Sequence, residues 1–310
     1  MILLTGSSGF VGRAILDKLS GKLVKTLGRT RPTNQSSNFF SGTIDCDTDY
    51  SLALEGVKVV IHSAARVHII NDSVLDPLAA FREVNVEGTL NLARQAIVAG
   101  VKRFIFISSI KVNGEETNPS TPFRYNDIPA PSDAYGQSKA EAEEELKKLA
   151  HLTGMELVII RPPLVYGPGV KANFKSLMTV VNKGLPLPLG AIHNQRSLVA
   201  LDNLVDLIVT CVDHPQAANQ TFIVSDDQDI STTDLLKKMA NALDKPSRLI
   251  PIPMNWIRFI AGLFGKKPVA DRLCSSLHVD ITHTKQVLGW TPPVTMDEEL
   301  AKIASAEFNK

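Results

Sequence analysis

Apolar residues in the first half of the chain alternate between short continuous runs and longer stretches with helical spacing. The continuous runs predict strands at Ile2–Thr5, Leu23–Leu27, Val57–His62, Arg103–Ser108 and Glu156–Arg161. The longer stretches predict helices at Phe10–Ser20, Leu75–Ala99 and Ala134–Leu152. Strands that alternate with helices are joined by crossover connections, so the pattern predicts an α/β fold whose doubly wound parallel sheet is buried on both faces.

The pattern changes after Arg161. Proline and glycine concentrate in RPPLVYGPG (161–169) and GLPLPLG (184–190), which favours turns and loops. QTFIVSD (220–226) predicts a further strand that can join the sheet, and MDEELAK (296–302) predicts a closing helix. We expect a first domain over residues 1–165, completed by parts of 196–226, and a smaller, loop-rich α/β region over 166–310.

The first predicted strand breaks into three glycines in MILLTGSSGFVG. A glycine turn between a strand and a helix presents backbone amides and the positive end of the helix to one point, which suits a pyrophosphate group. Glycines that merely tighten the turn are the alternative, but this position at the start of an α/β pattern favours dinucleotide binding. The cofactor contacts predicted in this turn are Gly6, Ser8, Gly9, Phe10, Val11 and Gly12.

The end of the second predicted strand bears on which dinucleotide is bound. A carboxylate there would accept from the 2′-hydroxyl of NAD, whereas an arginine would favour the 2′-phosphate of NADP. LVKTLGRTR has no acid at this point and carries Arg29 and Arg31, so NADP is favoured over NAD, with solvated arginines as the alternative. Asp45, the next acid along the chain, and the adjacent Cys46 are candidate cofactor contacts, with Asp45 at the adenine edge.

Tyr135 and Lys139 stand four residues apart on a predicted helix, so their side chains share one face. An ammonium group beside a phenol stabilises the phenolate, and we therefore expect the pKa of Tyr135 to be lowered until it can take a proton from a substrate hydroxyl. FIFISSIKVNG (104–114) is a predicted buried strand that ends in two serines, at the carboxyl edge where α/β sheets bind ligands. A strand-end cap is the alternative role for such a serine.

The net charge and the order of the charged residues give no signal for several classes of partner. The chain has 33 basic and 32 acidic residues, for a net charge of +1, and no long run of one sign predicts binding to nucleic acid or to an anionic membrane. Cys46, Cys211 and Cys274 lack disulfide or zinc spacing, so no metal site is expected and a cytoplasmic location is favoured. We expect neither a signal peptide nor a membrane-spanning segment.

These motifs together resemble those of the extended short-chain dehydrogenase/reductases, specifically the NAD-dependent epimerase/dehydratase group that acts on nucleotide sugars. The resemblance covers essentially the whole chain through TGSSGFVG (5–12), VVIHSAA (59–65), NVEGT (85–89), SSIKVNG (108–114), YGQSK (135–139) and RPPLVYGPG (161–169). It implies a Rossmann-type first domain and a C-terminal region that binds the nucleotide sugar.

The resemblance also implies roles for individual residues. Ser109 would be catalytic, Tyr135 the acid/base, and Lys139 the residue that lowers the tyrosine pKa and holds the nicotinamide ribose. The further cofactor contacts that it implies are Ala64 and Ala65 under the cofactor, Asn85 as a support for the active-site backbone, and Pro162.

Substrate contacts are implied mainly in the C-terminal region. Asn173 and Arg196 match residues that face the diphosphate of the nucleotide sugar, and Arg272 is a weaker candidate for a second phosphate contact. The alternative for Arg196 is a surface pair with Asp202 or Asp206. His68 is a candidate sugar contact, with a structural or solvated histidine as the alternative.

The function implied is hydride transfer at C4 of a UDP-sugar, by a UDP-hexose or UDP-N-acetylhexosamine 4-epimerase. The alternative is an NAD(P)H-dependent reductase of a UDP-4-keto-6-deoxy-N-acetylhexosamine, used in building surface polysaccharide. Two departures from the known hexose 4-epimerases favour the reductase: Asn113 in place of tyrosine, and Gly28-Arg29 in place of an acid. A 4,6-dehydratase and a non-catalytic NADP-sensing protein are disfavoured, the latter because Ser109, Tyr135 and Lys139 are all present.

Two surfaces carry further expectations. The family resemblance implies a homodimer formed through the helices at 75–99 and 134–152. IPMNWIRFIAGLFGKK (252–267) is apolar with a basic end, and could cover the substrate pocket or lie on a membrane surface. A hydrophobic helix packed on the smaller domain is the interpretation that we favour for this segment.

Overall fold

The structure is a computed structural model, which describes residues 1–32, 38–67, 76–118, 120–263, 265 and 267–308. The strands, in chain order, are β1 (Ile2–Thr5), β2 (Val24–Gly28), β3 (Phe39–Ser41), β4 (Val59–His62), β5 (Arg103–Ile107), β6 (Glu156–Arg161), β7 (Leu164–Tyr166), β8 (Leu198–Ala200) and β9 (Gln220–Ile223).

The helices, in chain order, are α1 (Phe10–Lys18), α2 (Ser51–Leu54), α3 (Pro77–Arg82), α4 (Thr89–Val98), α5 (Ala134–Thr153), α6 (Ala172–Asn182), α7 (Leu201–Asp213), α8 (Thr232–Ala242), α9 (Met254–Leu263), α10 (Lys267–Cys274), α11 (Thr282–Leu288) and α12 (Met296–Glu307). A π-helical stretch, Glu83–Gly88, joins α3 to α4, and short 3₁₀ turns occur at Ile110–Val112 and Pro215–Ala217. Among the helices of the described ranges, none has both the length and the apolar character that crossing a membrane requires.

Within the described residues, seven strands form one sheet in the order β3-β2-β1-β4-β5-β6-β9, and every neighbouring pair is parallel. The prediction of a doubly wound parallel sheet is confirmed. The strand order reverses direction between β1 and β4, and in such sheets ligands bind in the crevice beyond the carboxyl ends of the strands at that point. β7 and β8 form a separate parallel pair.

The sheet is buried because alternate side chains enter two different cores. Phe104 and Phe106 of β5 pack in a core that includes residues of α4 and α5. Ile105 and Ile107, which point to the other face, pack in a core that includes residues of α1 and α7. A third core lies in the C-terminal region, between α6, α8 and α12.

Several predicted elements need correction. The helix predicted over 75–99 is built from α3, the π-helical stretch and α4. The described part of the region beyond Arg161, where the sequence predicts many loops, contains the seven helices α6 to α12 between its loops. Its proline and glycine clusters occupy only the first part of it, and helices α7 to α12 follow.

A buried carboxylate of the closing helix lies against the loop after β7. Glu299 on α12 is buried against Gly167, and its Oε1 has no hydrogen-bond partner among the described residues. Burial, together with the Asp202 carboxylate, raises the pKa of Glu299 from 4.5 to about 7, and Lys302 at 3.4 Å offsets this only in part. Between these two pH values the folded protein holds a proton that the unfolded chain has released.

Replacing Glu299 by glutamine is therefore expected to stabilise the protein above pH 7. A carboxyl group whose pKa is raised by folding becomes more destabilising as the pH rises from the unfolded to the folded value, and glutamine removes that effect. We expect the free energy of unfolding in urea to increase by about 1–3 kcal/mol at pH 8, with little gain near pH 4. A loss of stability of the same size at both pH values would contradict this assignment.

Candidate active site

The glycine turn between β1 and α1 brings backbone segments closer together than other residues allow. Gly6 has a φ of +71°, and a Cβ atom placed there would lie 2.7 Å from the amide nitrogen of Ala64. A Cβ atom on Gly12 would lie 2.1 Å from the carbonyl oxygen of Gly6. The Gly9 amide donates to that same carbonyl at 2.9 Å, and α1 begins immediately afterwards. The turn therefore packs closely on itself and on Ala64, with bare backbone at the N-terminus of a helix.

Residues of this turn fit the diphosphate of a dinucleotide. The Ser7 side chain is fully buried, and its hydroxyl has no hydrogen-bond partner among the described residues. An unpartnered hydroxyl beside helix N-terminal amides is suited to bind an anion. Ser8 is exposed, and Phe10 and Val11 are half-buried. Ser7 is not among the cofactor contacts predicted from the sequence, although it lies within the TGSSGFVG motif.

A buried histidine ties this turn to the neighbouring strand. His62 at the end of β4 lies between two threonines, with Nδ1 2.8 Å from Thr5 Oγ1 and Nε2 3.0 Å from Thr89 Oγ1. Burial, and to a lesser degree the Lys139 charge, lowers the pKa of His62 to about 3, so the ring is neutral. The Ala64 amide donates to Thr5 Oγ1 at 3.2 Å. These bonds fix the start of the 63–66 stretch against the end of β1.

Asn85 ties the same stretch to the long helix α5. The buried Asn85 side chain accepts from the Arg66 amide at 2.8 Å and donates to the Arg66 carbonyl at 3.0 Å. It also donates to Ser138 Oγ on α5 at 3.0 Å. The half-buried pair Ala64 and Ala65 therefore lies in a segment held at both of its ends.

The residues predicted to contact the adenosine part of the cofactor differ in exposure and in hydrogen bonding. Arg29 follows directly on β2 and is exposed. The Asp45 carboxylate accepts from the hydroxyls of Thr43 and Thr48, which lower its pKa to about 2. That carboxylate is therefore engaged within its own loop, and the adjacent Cys46 is exposed.

The two serines after β5 have different partners. The Ser108 hydroxyl donates to Glu143 Oε1 at 2.5 Å and is buried. Ser109 is half-buried and accepts from the Lys111 amide at 3.2 Å, at the start of the 3₁₀ turn. Among the described residues the Ser109 hydroxyl hydrogen has no acceptor, so this serine is the one able to donate to a ligand. The buried Pro162, after β6, accepts from the Ile110 amide at 3.0 Å and holds this turn at the sheet edge.

Helix α5 begins directly against that turn. The Asp133 side chain caps the helix by accepting from the Gly136 amide at 2.7 Å. A Cβ atom on Gly136 would lie 2.7 Å from the Lys111 carbonyl oxygen, so the first turn of α5 packs closely on the segment after Ser109. The half-buried Tyr135 ring lies edge-on to Phe81, with 5.9 Å between centroids. The structure thus brings Ser109, Tyr135 and the glycine turn to the same edge of the sheet.

The expected lowering of the Tyr135 pKa is not what the structure shows. Burial, together with the Asp133 carboxylate, raises the pKa of Tyr135 to about 12. The Lys139 ammonium instead donates to the Ile107 carbonyl at 2.9 Å and lies 4.3 Å from the centroid of the Phe106 ring. Burial lowers the pKa of Lys139 to about 7, so the charge of this group changes near neutral pH.

A buried ion pair fixes α5 to the sheet beyond Tyr135 and Lys139. Arg161 Nη2 lies 2.5 Å from Glu143 Oε2, and each side chain is 2% exposed. Ser108 donates to this same carboxylate, and the buried Asn113 side chain accepts from Arg161 Nη1 at 2.9 Å. Asn113 is therefore committed to this network. Glu143 and Arg161 were not singled out from the sequence, since no local motif marks a pair separated by 18 residues.

Two of the three candidate phosphate contacts, Arg196 and Arg272, lie against each other. The half-buried Arg196 guanidinium donates to the main-chain carbonyls of Arg272 at 2.8 Å and Ser275 at 3.2 Å. The alternative pairing is not observed, because Asp202 pairs with Lys302, and Asp206 with Lys18 and Trp290. Arg272 is exposed on α10.

The remaining predicted substrate contacts are Asn173 and His68. Asn173 is exposed in the first turn of α6. His68 lies outside the described residues. In the ranges that the structure describes, no group of three or more His, Cys, Asp or Glu side chains could hold a metal ion.

Residues 2–225 match the model of the NAD dependent epimerase/dehydratase family. The chain is 53% identical to a UDP-glucose 4-epimerase of Vibrio cholerae, over 98% of this chain and 94% of that protein. It is 26% identical to the N-acetyl-alpha-D-glucosaminyl-diphospho-ditrans,octacis-undecaprenol 4-epimerase of Escherichia coli O157:H7, over 99% and 95% of the two chains.

A solved structure shares the fold. The UDP-glucose 4-epimerase of the hyperthermophile Thermotoga maritima, determined with UDP-glucose, matches with a TM-score of 0.78 at 24% identity. The match covers 98% of this chain and 97% of that one. At this level of identity, the similarity supports the fold alone.

Replacing Glu143 by glutamine tests whether the buried ion pair holds α5 in place. The variant leaves the Arg161 charge buried without a full counter-charge, so the free energy of unfolding is expected to fall by about 3–5 kcal/mol. The matched control is Glu145→Gln on the same helix, because Glu145 pairs with Lys148 at the surface and should change stability little. Urea unfolding measures both, and equal effects of the two variants would contradict this role of the pair.

Proposed function

Because the chain belongs to the NAD dependent epimerase/dehydratase family, we propose that it is a nucleotide-sugar 4-epimerase acting on a UDP-hexose or UDP-N-acetylhexosamine. The observation that carries this proposal is the placement of Ser109 and Tyr135 at the sheet edge that also holds the glycine turn. The Vibrio cholerae relative, named a UDP-glucose 4-epimerase and similar over nearly the whole chain, supports the same reaction.

The chemistry divides between cofactor and protein. A nicotinamide dinucleotide bound at the glycine turn would supply hydride acceptance from C4 of the sugar and hydride return to the opposite face. Tyr135 would move the proton at O4, and the Ser109 hydroxyl would donate a hydrogen bond to the same oxygen.

The pKa values of the site bear on how Tyr135 acts. With its pKa near 12, Tyr135 holds its proton at neutral pH, which suits delivery of that proton to a ketone oxygen. Removal of the proton from O4 requires a cation close to the phenol. Lys139, four residues further along α5, is our candidate for that cation and for the contact to the nicotinamide ribose.

Arg196 is the proposed contact for the substrate diphosphate. Its guanidinium is half-buried, and burial lowers its pKa, so an anionic partner would stabilise its charge. Among the described residues its hydrogen-bond partners are carbonyls, and the Glu116 carboxylate stabilises its charge without accepting a hydrogen bond from it, so the guanidinium is suited to a phosphate. Arg272, whose own carbonyl Arg196 contacts, and Asn173 are proposed as further contacts.

The use that the protein makes of its cofactor distinguishes the epimerase from the alternative reductase. The exposed Arg29 after β2, with no acid at that position, favours NADP, and this observation also favours the alternative of a UDP-4-keto-sugar reductase. An epimerase regenerates its cofactor in every cycle, whereas a reductase consumes NAD(P)H. An epimerase can therefore keep its dinucleotide bound between turnovers, whereas a reductase must exchange it.

The oligomeric state of the protein is a further proposal. We propose, from the family resemblance, a homodimer through the helices at 75–99 and 134–152, on which Val98 and Leu152 are 89% and 81% exposed. A monomeric mass by light scattering would contradict it.

The free thiols of Cys46, Cys211 and Cys274 support a location in a reducing cytoplasm.

Cofactor extraction and one substitution test the proposed function. Protein purified without added coenzyme is denatured, and any released dinucleotide is identified by mass spectrometry. Near-stoichiometric NAD or NADP supports the epimerase, and identifying NAD would reject the preference drawn from Arg29. An empty protein that then binds NADPH much better than NADH supports the reductase.

Replacing Tyr135 by phenylalanine is expected to lower turnover by about a hundredfold to ten-thousandfold while dinucleotide binding is retained. The reason is that the ring packing on Phe81 survives and only the transferable proton is lost. Steady-state kinetics and dinucleotide titration of the same sample measure the two effects. Unchanged biological activity in this variant would favour the non-catalytic sensing protein.

A further inference from the structure

Helix α9 presents an apolar stripe to the outside of the protein. Trp256, Phe259, Ile260 and Leu263 are 62%, 63%, 44% and 70% exposed. Their spacing of three, four and seven residues places them on one face of the helix. We call these four residues the α9 stripe. Large apolar side chains grouped in this way on a surface mark an interaction site more often than isolated ones do.

The other face of α9 anchors the helix to the protein. Met254 and Ile257 pack against the C-terminal core, and Arg258 lies 3.4 Å from Asp271 of α10. The expectation of a simple packing helix over 252–267 therefore accounts for one face only. The helix is held in place, and the α9 stripe is left for a partner outside the described chain.

Charge identifies the kind of partner. Residues 254–274 contain four basic residues, Arg258, Lys266, Lys267 and Arg272, but only one acid, Asp271, in a chain whose net charge is +1. Among the described residues of this segment, Lys267 and Arg272 are exposed. Val269, 53% exposed, extends the apolar surface onto α10. The segment therefore combines an apolar stripe with a local positive charge.

We propose that the α9 stripe and the adjoining cations of α10 dock on the surface of an anionic lipid bilayer. Tryptophan and phenylalanine with basic neighbours are the side chains that amphipathic helices place at the boundary of lipid headgroups and acyl chains. A second copy of the chain fits less well, because a twofold contact through this face would bring the same cations together.

The docking surface lies beside the proposed diphosphate contact. The Arg196 guanidinium donates to the carbonyl of Arg272, which belongs to the helix that follows α9. A docked protein would hold this arginine close to the membrane surface. Docking itself does not depend on the proposed function, because it is measured without any sugar substrate.

Sedimentation of the full-length chain with lipid vesicles tests this inference. We expect binding to vesicles of equal parts phosphatidylcholine and phosphatidylglycerol, weaker binding at high salt, and much weaker binding to phosphatidylcholine alone. The triple variant Trp256→Ser, Phe259→Ser, Leu263→Ser is expected to lower the affinity for the mixed vesicles by about tenfold or more. Leu52→Ser, at a residue 72% exposed on α2, is the matched control and should bind as the wild type does.

Three results would overturn the inference: no binding of the wild type to the mixed vesicles, equal binding by the triple variant, or a dimer that the triple variant dissociates while vesicles are not bound. The last result would assign the α9 stripe to contact between copies of the chain. Turnover of a soluble UDP-sugar by the triple variant, with its melting temperature unchanged, separates a failure of docking from a failure of the proposed function.

Discussion

The ion pair between Glu143 and Arg161 is the interaction on which the geometry of the site depends. Both side chains are 2% exposed, and a charge buried to that degree requires a partner close by. The same carboxylate holds the hydroxyl of Ser108, and the same guanidinium holds Asn113. One network therefore links α5, which carries Tyr135, to the strand ends and the turn that carry Ser109. Its specific geometry, rather than helix propensity, determines where α5 lies.

A second constraint acts on the cofactor side of the crevice. Gly6 and Gly12 allow the glycine turn to pack against itself and against Ala64 at distances that no side chain could tolerate. The neutral His62 then holds the end of β4 to Thr5 at the end of β1. Because these strands are the pair at which the sheet order reverses, the constraint lies where ligands bind in folds of this type. Helix α5 and the glycine turn are thus held by two different networks, which Asn85 joins through its bonds to Arg66 and to Ser138 of α5.

The sequence predicts this fold well because strands buried on both faces are continuous apolar runs, and β6 is predicted to the residue at Glu156–Arg161. The edge strand Phe39–Ser41 was missed, since three residues are too few for a pattern. Ser108 and Ser109 are distinguished in the sequence only through the family resemblance, because the structural partner of Ser108 is 35 residues away. The Tyr135 pKa was predicted in the wrong direction, because spacing on a helix does not reveal that the neighbouring lysine is bonded to a strand carbonyl.

In the proposed reaction, the site oxidises and reduces the same carbon of one sugar without net consumption of cofactor. Proton NMR of UDP-glucose and UDP-galactose, and of their N-acetyl forms, incubated with catalytic amounts of the protein measures this directly. We expect one of these pairs to reach the same equilibrium from either member while the nicotinamide absorbance shows no net change. No interconversion of any pair, together with stoichiometric oxidation of NAD(P)H by a UDP-4-keto-sugar, would contradict the account.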